Sequence, residues 1–318
     1  GRPIETDYRL HLTALEGVNL YEPEELVLRA GAATSLGQIQ AMLAQQRQQL
    51  AFEPPDFSDL YGNLTDQTIG GVLSANLAGP RRIKAGAARD HFLGLEAVSG
   101  RGAAFKSGGR VVKNVTGYDL CKLMAGSFGT LAALTEVTVK VLPVPEKTRT
   151  VLLFGQDDPA AITAMSQAAG SPHEVSALAH LPSAIAARPA VSYIKDAGAA
   201  VTAVRVEGPE PSVEHRTEAL RRMWGGHGAV EELHGHNSNT LWREVANVAP
   251  LLPDPDAIIW KLSVTPSTGA DVMAKALSAG GAGYYDWAGG LLWLALPGSE
   301  KGGEDGGAAL VRGAFGGD

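Results

Sequence analysis

Residues 100–136, GRGAAFKSGGRVVKNVTGYDLCKLMAGSFGTLAALTE, restrict the fold more than any other part of the chain. At their centre, Gly126-Ser-Phe-Gly-Thr-Leu131 sets two glycines around a serine and beside a threonine, directly before an apolar run. Glycine admits positive φ and lets backbone approach a ligand closely. Open N–H groups in such a turn make a concavity for an anion. A second segment, TIGGVLSAN at residues 68–76, has the same texture. Small residues also serve tight helix packing, and either segment alone fits that reading equally well. Together they point to a large phosphate-bearing cofactor lying along the backbone.

The motif logic narrows the cofactor. No G-x-G-x-x-G stands between a strand and a helix, and no G-x-x-x-x-G-K-[ST] occurs, so dinucleotide and nucleotide loops of those types are not expected. A formal charge of −7 supplies no basic excess for nucleic acid. The single cysteine, Cys121, precludes an intrachain disulfide and an iron–sulfur cluster, and fits a reducing, cytoplasmic compartment. No apolar run approaches the roughly 20 residues needed to span a bilayer. With 318 residues, about two domains are expected. The chain opens on Gly1-Arg-Pro without Met and reads as trimmed, and the glycines at 302–307 and 316–318 read as a tail.

Periodicity gives a coarse layout. Strands are expected at 7–12, 25–30, 50–55, 91–99, 103–106 and 131–142, with Val137, Val139 and Val141 on one face. A helix is expected over 35–50, capped by Thr34 or Ser35 and carrying Leu36, Ile39, Met42 and Leu43 inward. Shorter helices are expected at 70–77 and 119–125. Prolines at 143 and 145 mark the boundary between a domain at 1–143 and one at 144–318. In the second domain, strands are expected at 150–154, 174–180, 200–208, 257–265, 283–286 and 290–296. Helices are expected there at 159–169, 212–224, 240–248 and 269–280. The fold class is therefore α+β, with helices on one face of the second sheet.

Several segments occur in an order that resembles a known family: Pro54-Pro55, Thr68-Ile-Gly-Gly71, Ala75-Asn76, Ala88-Arg-Asp-His91, Gly108-Gly-Arg-Val-Val-Lys-Asn114, Gly117-Tyr-Asp-Leu120 and Gly126-Ser-Phe-Gly-Thr130. They look like the FAD-binding domain of the vanillyl-alcohol oxidase/PCMH flavoprotein superfamily, and within it the FAD-binding subunits of bacterial glycolate oxidases. Asn76-Leu-Ala-Gly-Pro-Arg-Arg82 and residues 106–126 carry the most specific likeness. A weaker one continues through Leu241-Trp-Arg243, Trp260-Lys-Leu-Ser263 and residues 289–298.

The resemblance implies a PCMH-type two-subdomain FAD-binding fold followed by an α+β cap domain. It implies FAD contacts at Pro54, Pro55, Thr68, Ile69, Gly70, Gly71, Ser74, Ala75, Asn76 and Gly79. Downstream it implies contacts at Lys113, Asn114, Gly117, Tyr118, Gly126, Gly129, Thr130 and Leu131. The family's first glycine-rich pyrophosphate loop would precede Gly1, and its closing Asp-Pro…Asn-Pro-Gly-Arg segment is also missing from the 318 residues. Retention of FAD by this chain is therefore an open expectation. Covalent attachment would use a His or Cys; Cys121 reads as core, so the flavin is expected to be non-covalent.

The resemblance further implies a subunit of a multi-subunit glycolate (2-hydroxy acid) oxidase or dehydrogenase. It would work with a sister FAD subunit and an iron–sulfur subunit, and any membrane-surface association would come through those partners. A non-catalytic accessory subunit with little or no FAD is the alternative. No catalytic base stands out. Arg243 and Lys261 are positions whose charge can attract a carboxylate substrate, against a reading as plain surface charge. His227, His234 and His236, near Glu231 and Glu232, lie in a glycine-rich stretch and read as solvent-facing, so no metal is expected. His173 and His180 read as satisfied or surface histidines. Arg89, Asp90 and His91 form either a salt-bridged turn or a device that orders the cofactor loops.

Overall fold

The computed structural model describes residues 6–62, 66–110, 117–298 and 305–314. Two compact units emerge. One comprises Gly1–Pro54, Leu64–Ala78 and Gly86–Val144; the other comprises Pro55–Asn63, Gly79–Ala85 and Pro145–Asp318. Two short segments of the N-terminal half, 55–63 and 79–85, thus group with the second unit.

The first unit is built on an antiparallel sheet of β1 (Val18–Glu22), β2 (Val27–Gly31), β4 (Phe92–Ser99), β5 (Ala104–Gly108) and β6 (Ala132–Lys140), in the order β1-β2-β6-β4-β5. A two-residue ribbon pairs β3 (Gln48–Gln49) with β7 (Leu142–Pro143). In β6 the buried residues change parity along the strand: Ala132 and Leu134, then Val137 and Val139. The cause is a bulge. Glu96 of β4 faces Glu136, yet the next residue, Ala97, faces Leu134, which leaves Thr135 as an extra residue on β6. One added residue shifts the side-chain alternation by one, so two runs of different phase share one core.

Helix Leu36–Gln45 buries Leu36, Ile39 and Leu43 against this sheet, and the Ser35 hydroxyl caps it by accepting from the Gln38 N–H at 3.1 Å. It ends five residues before the expected 50 because Arg47 takes a left-handed φ of 52°. The expected strand at 7–12 is absent and those residues are largely exposed; the sheet begins at β1, whose weak alternation did not announce it. The expected strand at 50–55 is a turn closed by Glu53 N–H on the Leu50 carbonyl at 3.0 Å.

The second unit carries seven antiparallel strands: β8 (Lys147–Phe154), β9 (Ala177–Leu181), β10 (Val201–Gly208), β11 (Val230–His234), β12 (Ile258–Ser263), β13 (Ala282–Asp286) and β14 (Leu291–Leu296). Their order is β11-β8-β10-β9-β13-β14-β12. Helices cover both faces, not one. Val151 and Leu153 of β8 face Val213, Leu220 and Trp224 of helix Glu210–Trp224, in a core shared with helices Asp158–Ala169 and Pro266–Ser278. On the opposite face, Thr150 Oγ1 accepts from Trp242 Nε1 at 2.8 Å and pairs with Ser238 Oγ at 2.7 Å. Both partners belong to helix Gly235–Ala246, which starts five residues before the expected 240.

His227, His234 and His236 are exposed, and His227 lies in a turn. His234 ends β11 and His236 lies in the following helix. Among the described residues, no group of three or more His, Cys, Asp or Glu can hold a metal. Gly302, Gly303, Gly316 and Gly317 lie outside the described residues.

Candidate functional site

The first unit brings its two small-residue segments together. Thr68 caps helix Ile69–Ser74, its hydroxyl accepting from Gly71 N–H at 3.2 Å. The loop at 126–131 docks on the C-terminal end of this helix: Gly126 N–H donates to the Leu73 carbonyl at 3.3 Å and Phe128 N–H to the Ser74 carbonyl at 2.9 Å. Gly126, at φ 86°, leads the chain away from helix Leu120–Met124, whose N-cap Asp119 accepts from Lys122 N–H at 3.1 Å.

The segments differ in their donors. Ile69 N–H donates to the Thr34 carbonyl at 3.0 Å and Gly70 N–H to the Ala32 carbonyl at 2.9 Å. Both residues are buried, and a Cβ on Gly70 would stand 2.7 Å from the Ala32 oxygen. Close packing therefore accounts for Ile69 and Gly70, and with Gly71 bonded to its cap, none of the three offers an amide to a phosphate. By contrast, the amides of Gly129 and Leu131 meet no protein acceptor among the described residues. Gly129 is exposed at φ 74° with nothing within 4 Å of a Cβ built on it. Thr130 turns inward, its hydroxyl donating to the Ser127 carbonyl at 2.6 Å.

Exposed apolar side chains flank this segment along the chain. Tyr118 is 90% exposed and Phe128 75%, with Leu123 and Leu131 also exposed. Open amides beside exposed aromatic and aliphatic groups fit a cofactor that carries both phosphate and a ring system. Gly117, at φ 80°, has the same open surroundings as Gly129.

A small network orders the loop. Asn76 Oδ1 accepts from Arg89 N–H at 3.0 Å, and Arg89 Nη2 donates to the carbonyls of Ala125 and Lys122 at 3.1 and 3.2 Å. Arg89 thereby ties the end of one segment to the start of the other. Asp90 caps Ala87 N–H at 2.8 Å and pairs with Lys122 Nζ at 3.7 Å, while buried His91 leans on Phe52 at 5.4 Å. The triplet is both a turn and an ordering device. Cys121 is buried in the core, and desolvation first, then the Asp119 charge, pushes its thiol up to about 11; it is no thiolate for covalent flavin attachment.

The remaining expected positions separate. Pro54 belongs to the first unit; Pro55 and Gly79 belong to the second. Gly79 is buried, its carbonyl accepting from Trp287 Nε1 at 3.0 Å. Lys113 and Asn114 lie outside the described residues. Ser74, Ala75 and Asn76 are half-buried.

In the second unit, Arg243 stands exposed on helix Gly235–Ala246. Lys261 lies on β12. Its Nζ lies 5.3 Å from the Trp287 ring centre and 5.6 Å from that of Trp293, and the Arg82 guanidinium lies 4.5 Å from the Trp287 ring. Lys261 is exposed as a residue, yet its ammonium is walled by indoles. Desolvation, then the Arg82 charge, lowers its pKa, with Asp286 pulling the other way. The turn presenting Trp287 is strained: Trp287 and Ala288 have φ of 51° and 58°, each costing about 1–3 kcal/mol. Asp286 Oδ1 fixes it by accepting from Trp287 N–H at 2.7 Å.

Arg82 is held from its own segment. Arg81 makes a two-pronged bond to Glu207, Nη2 to Oε1 at 2.7 Å and Nε to Oε2 at 3.0 Å. Burial works to raise the Glu207 pKa, but the charges of Arg205 and Arg81 and the bonds they bring hold it down to about 2. Lys84 pairs with Glu174 at 3.3 Å. Sequence reasoning gave no role to Arg82, Glu207 or Trp287. The doublet Arg81-Arg82 after Gly-Pro was a usable signal; the indole that receives it lies two hundred residues away and was not.

Elsewhere in this unit His180 is fully buried, with Nδ1 2.9 Å from Thr202 Oγ1 and Nε2 3.4 Å from Asp158 Oδ1; only Nδ1 is hydrogen-bonded among the described residues, so it is a core histidine satisfied on one side. Tyr285 donates to the other Asp158 oxygen at 2.6 Å.

Comparison with known proteins agrees with this geometry. Residues 1–108 match the model of an FAD binding domain. The chain is 32% identical over 297 residues to the glycolate oxidase subunit GlcE of Escherichia coli, covering 92% of the chain and 72% of GlcE. It is 43% identical over 113 residues to the glycolate oxidase subunit GlcD of Bacillus subtilis, covering 35% of the chain and 23% of GlcD. It is 34% identical over 122 residues to a D-lactate dehydrogenase of Archaeoglobus fulgidus, covering 38% of the chain and 26% of that enzyme. Among solved structures, alkyldihydroxyacetonephosphate synthase superposes with a TM-score of 0.69 at 16% identity, over 95% of this chain and 61% of that one. Substrate-bound p-cresol methylhydroxylase gives a TM-score of 0.67 at 11% identity, over 96% of this chain and 68% of that one. These two likenesses carry the fold alone. The near full-length kinship with GlcE carries more: the chain belongs to the glycolate oxidase GlcE family of FAD-dependent oxidoreductases, built on a PCMH-type FAD-binding fold.

Proposed function

We propose that the chain is the FAD-binding subunit of a multi-subunit 2-hydroxy-acid oxidase or dehydrogenase that converts glycolate to glyoxylate and passes electrons to a partner subunit. The observation that carries this reading is the loop at 126–131, where the amides of Gly129 and Leu131 have no acceptor among the described residues and Phe128 is exposed, in a chain kin to GlcE over most of its length. FAD, when bound, supplies the acceptor for the hydride that leaves the substrate α-carbon. The protein's share is orientation. Gly129 and Leu131 offer amides to an anionic group, Gly117 and Gly129 leave room for close approach, and Arg89 with Asn76 holds the loop in shape. A base must take the hydroxyl proton, and no residue of this chain is assigned that role. A sister FAD subunit and an iron–sulfur subunit are the proposed partners. A cytoplasmic subunit that reaches a membrane surface only through partners is part of the proposal. No helix among the described residues is long and apolar enough to cross a membrane.

A second reading has its own support. The amides of residues 69–71 are all engaged within the protein, so one side of the expected phosphate cradle has nothing to give, as an accessory subunit with little FAD would show. Anaerobic spectrophotometry of the purified full-length protein with glycolate decides. A yellow protein whose own flavin is bleached by glycolate, alone or with partner subunits added free of flavin, supports the catalytic subunit. A colourless protein overturns it in favour of the accessory role, and a yellow protein that glycolate never bleaches overturns the substrate.

A further inference from the structure

Two cations share one indole in the second unit, with no ion pair to either among the described residues. Arg82 lies 4.5 Å from the Trp287 ring centre and Lys261 lies 5.3 Å from it. Every neighbouring cation on the same segment is neutralised: Arg81 by Glu207 at 2.7 Å and Lys84 by Glu174 at 3.3 Å. Two positive charges near one ring repel, and the carboxylate that acts on Lys261, buried Asp286, balances at most one of the two. Nothing about the arrangement is loose. Trp287 is pinned through its ring N–H to the Gly79 carbonyl at 3.0 Å and through its backbone N–H to Asp286 at 2.7 Å. Arg82 follows directly on Arg81, whose fork is locked on buried Glu207. Lys261 faces Trp293 across the β12–β14 ladder, which fixes its stem.

A strained turn, a locked neighbour and two indole walls together hold charges that would otherwise move apart. Such a set is preorganised for an anion, since the cost of bringing the cations together is met in folding and not in binding. The ammonium is partly dehydrated by its indole walls, as the depressed pKa of Lys261 also indicates, so an anion would meet it at low local dielectric. The planar fork of Arg82 suits a carboxylate, which accepts two parallel hydrogen bonds. The walls leave little that would recognise a large polar ligand.

We infer that Arg82, Lys261 and Trp287 form a receptor for the carboxylate of a small organic acid, with Glu207 as the positioning residue that aims Arg82 through Arg81. That the acid is the 2-hydroxy acid substrate rests on the reading under Proposed function; that a small carboxylate binds here does not. On this assignment Lys261 is half of the receptor and Arg243 has no part in it.

The test is calorimetric titration of the full chain with glycolate, and in parallel with glycolamide, which keeps the shape and loses the charge. Glycolate binding that is at least tenfold weaker in Arg82→Gln and in Lys261→Gln, recovered in part by Lys261→Arg, with glycolamide silent throughout, is the expected result. Far-ultraviolet circular dichroism of each variant confirms that the loss is not unfolding. Glu207→Gln is expected to weaken glycolate severalfold while Lys261→Arg in the same background still binds. Equal binding of glycolate and glycolamide, or unchanged affinity in folded Arg82→Gln and Lys261→Gln, overturns the receptor. The two readings fail separately: charge-dependent glycolate binding without flavin bleaching removes the oxidation and leaves the receptor, whereas bleaching with unchanged affinity in both variants removes the receptor alone.

Discussion

Residues 68–76 and 126–131 share a composition of glycine, small hydroxyl residues and apolar neighbours, yet they use their backbone donors in opposite ways. In the first, the amides of residues 69, 70 and 71 bond within the protein, and Gly70 is a glycine because Ala32 leaves no room for a Cβ. In the second, a Cβ on Gly129 would meet nothing within 4 Å, and its amide and that of Leu131 have no acceptor among the described residues. Glycine that packs and glycine that presents backbone look alike in sequence. What tells them apart is the acceptor across the gap: the carbonyls of residues 32 and 34 for Ile69 and Gly70, and none among the described residues for Gly129 and Leu131.

The comparison breaks most readily at Gly70. Gly70→Val puts two methyl groups where even a Cβ stands 2.7 Å from the Ala32 oxygen and 2.8 Å from its Cβ. A loss of about 3 kcal/mol in stability is expected from such overpacking, read as a lower urea midpoint whether or not FAD is present. An unchanged midpoint would mean that residues 68–76 are as open as 126–131. A smaller effect sharpens the contrast. Arg89→Ala removes the bonds to the Lys122 and Ala125 carbonyls that lead into the open loop. With these bonds worth about 1 kcal/mol, a roughly fivefold weaker FAD affinity is expected, with the urea midpoint little altered. If stability falls and flavin affinity holds, Arg89 serves packing and not the loop.

Much of the scaffold was legible in the sequence, and the failures have physical causes. Helix Leu36–Gln45 announced itself by Ser35 and the spacing of Leu36, Ile39 and Leu43, but its end did not, because Arg47 enters the left-handed region without a glycine to mark it. The single alternation expected over 131–142 is two phases joined at Thr135, and a bulge has no composition of its own. Glycines between histidines masked β11 and the start of helix Gly235–Ala246, so helices were expected on one face of the second sheet when Trp242 closes the other. At the candidate site, composition found both segments but not which amides stay open, since that depends on carbonyls at residues 32 and 34. The cluster of Arg82, Trp287 and Lys261 was out of reach because pattern reading sees neighbours, and these residues are neighbours only in the fold.

The central claim is that the open loop holds the cofactor, and titration of FAD onto flavin-free protein tests it directly, with wild type beside Gly129→Val. Valine at φ 74° is strained, and its branched side chain fills the space that Gly129 leaves for a ligand. The account predicts saturable binding by the wild type and at least tenfold weaker binding by a Gly129→Val protein that still unfolds cooperatively. Equal FAD affinity in the two folded proteins would contradict it.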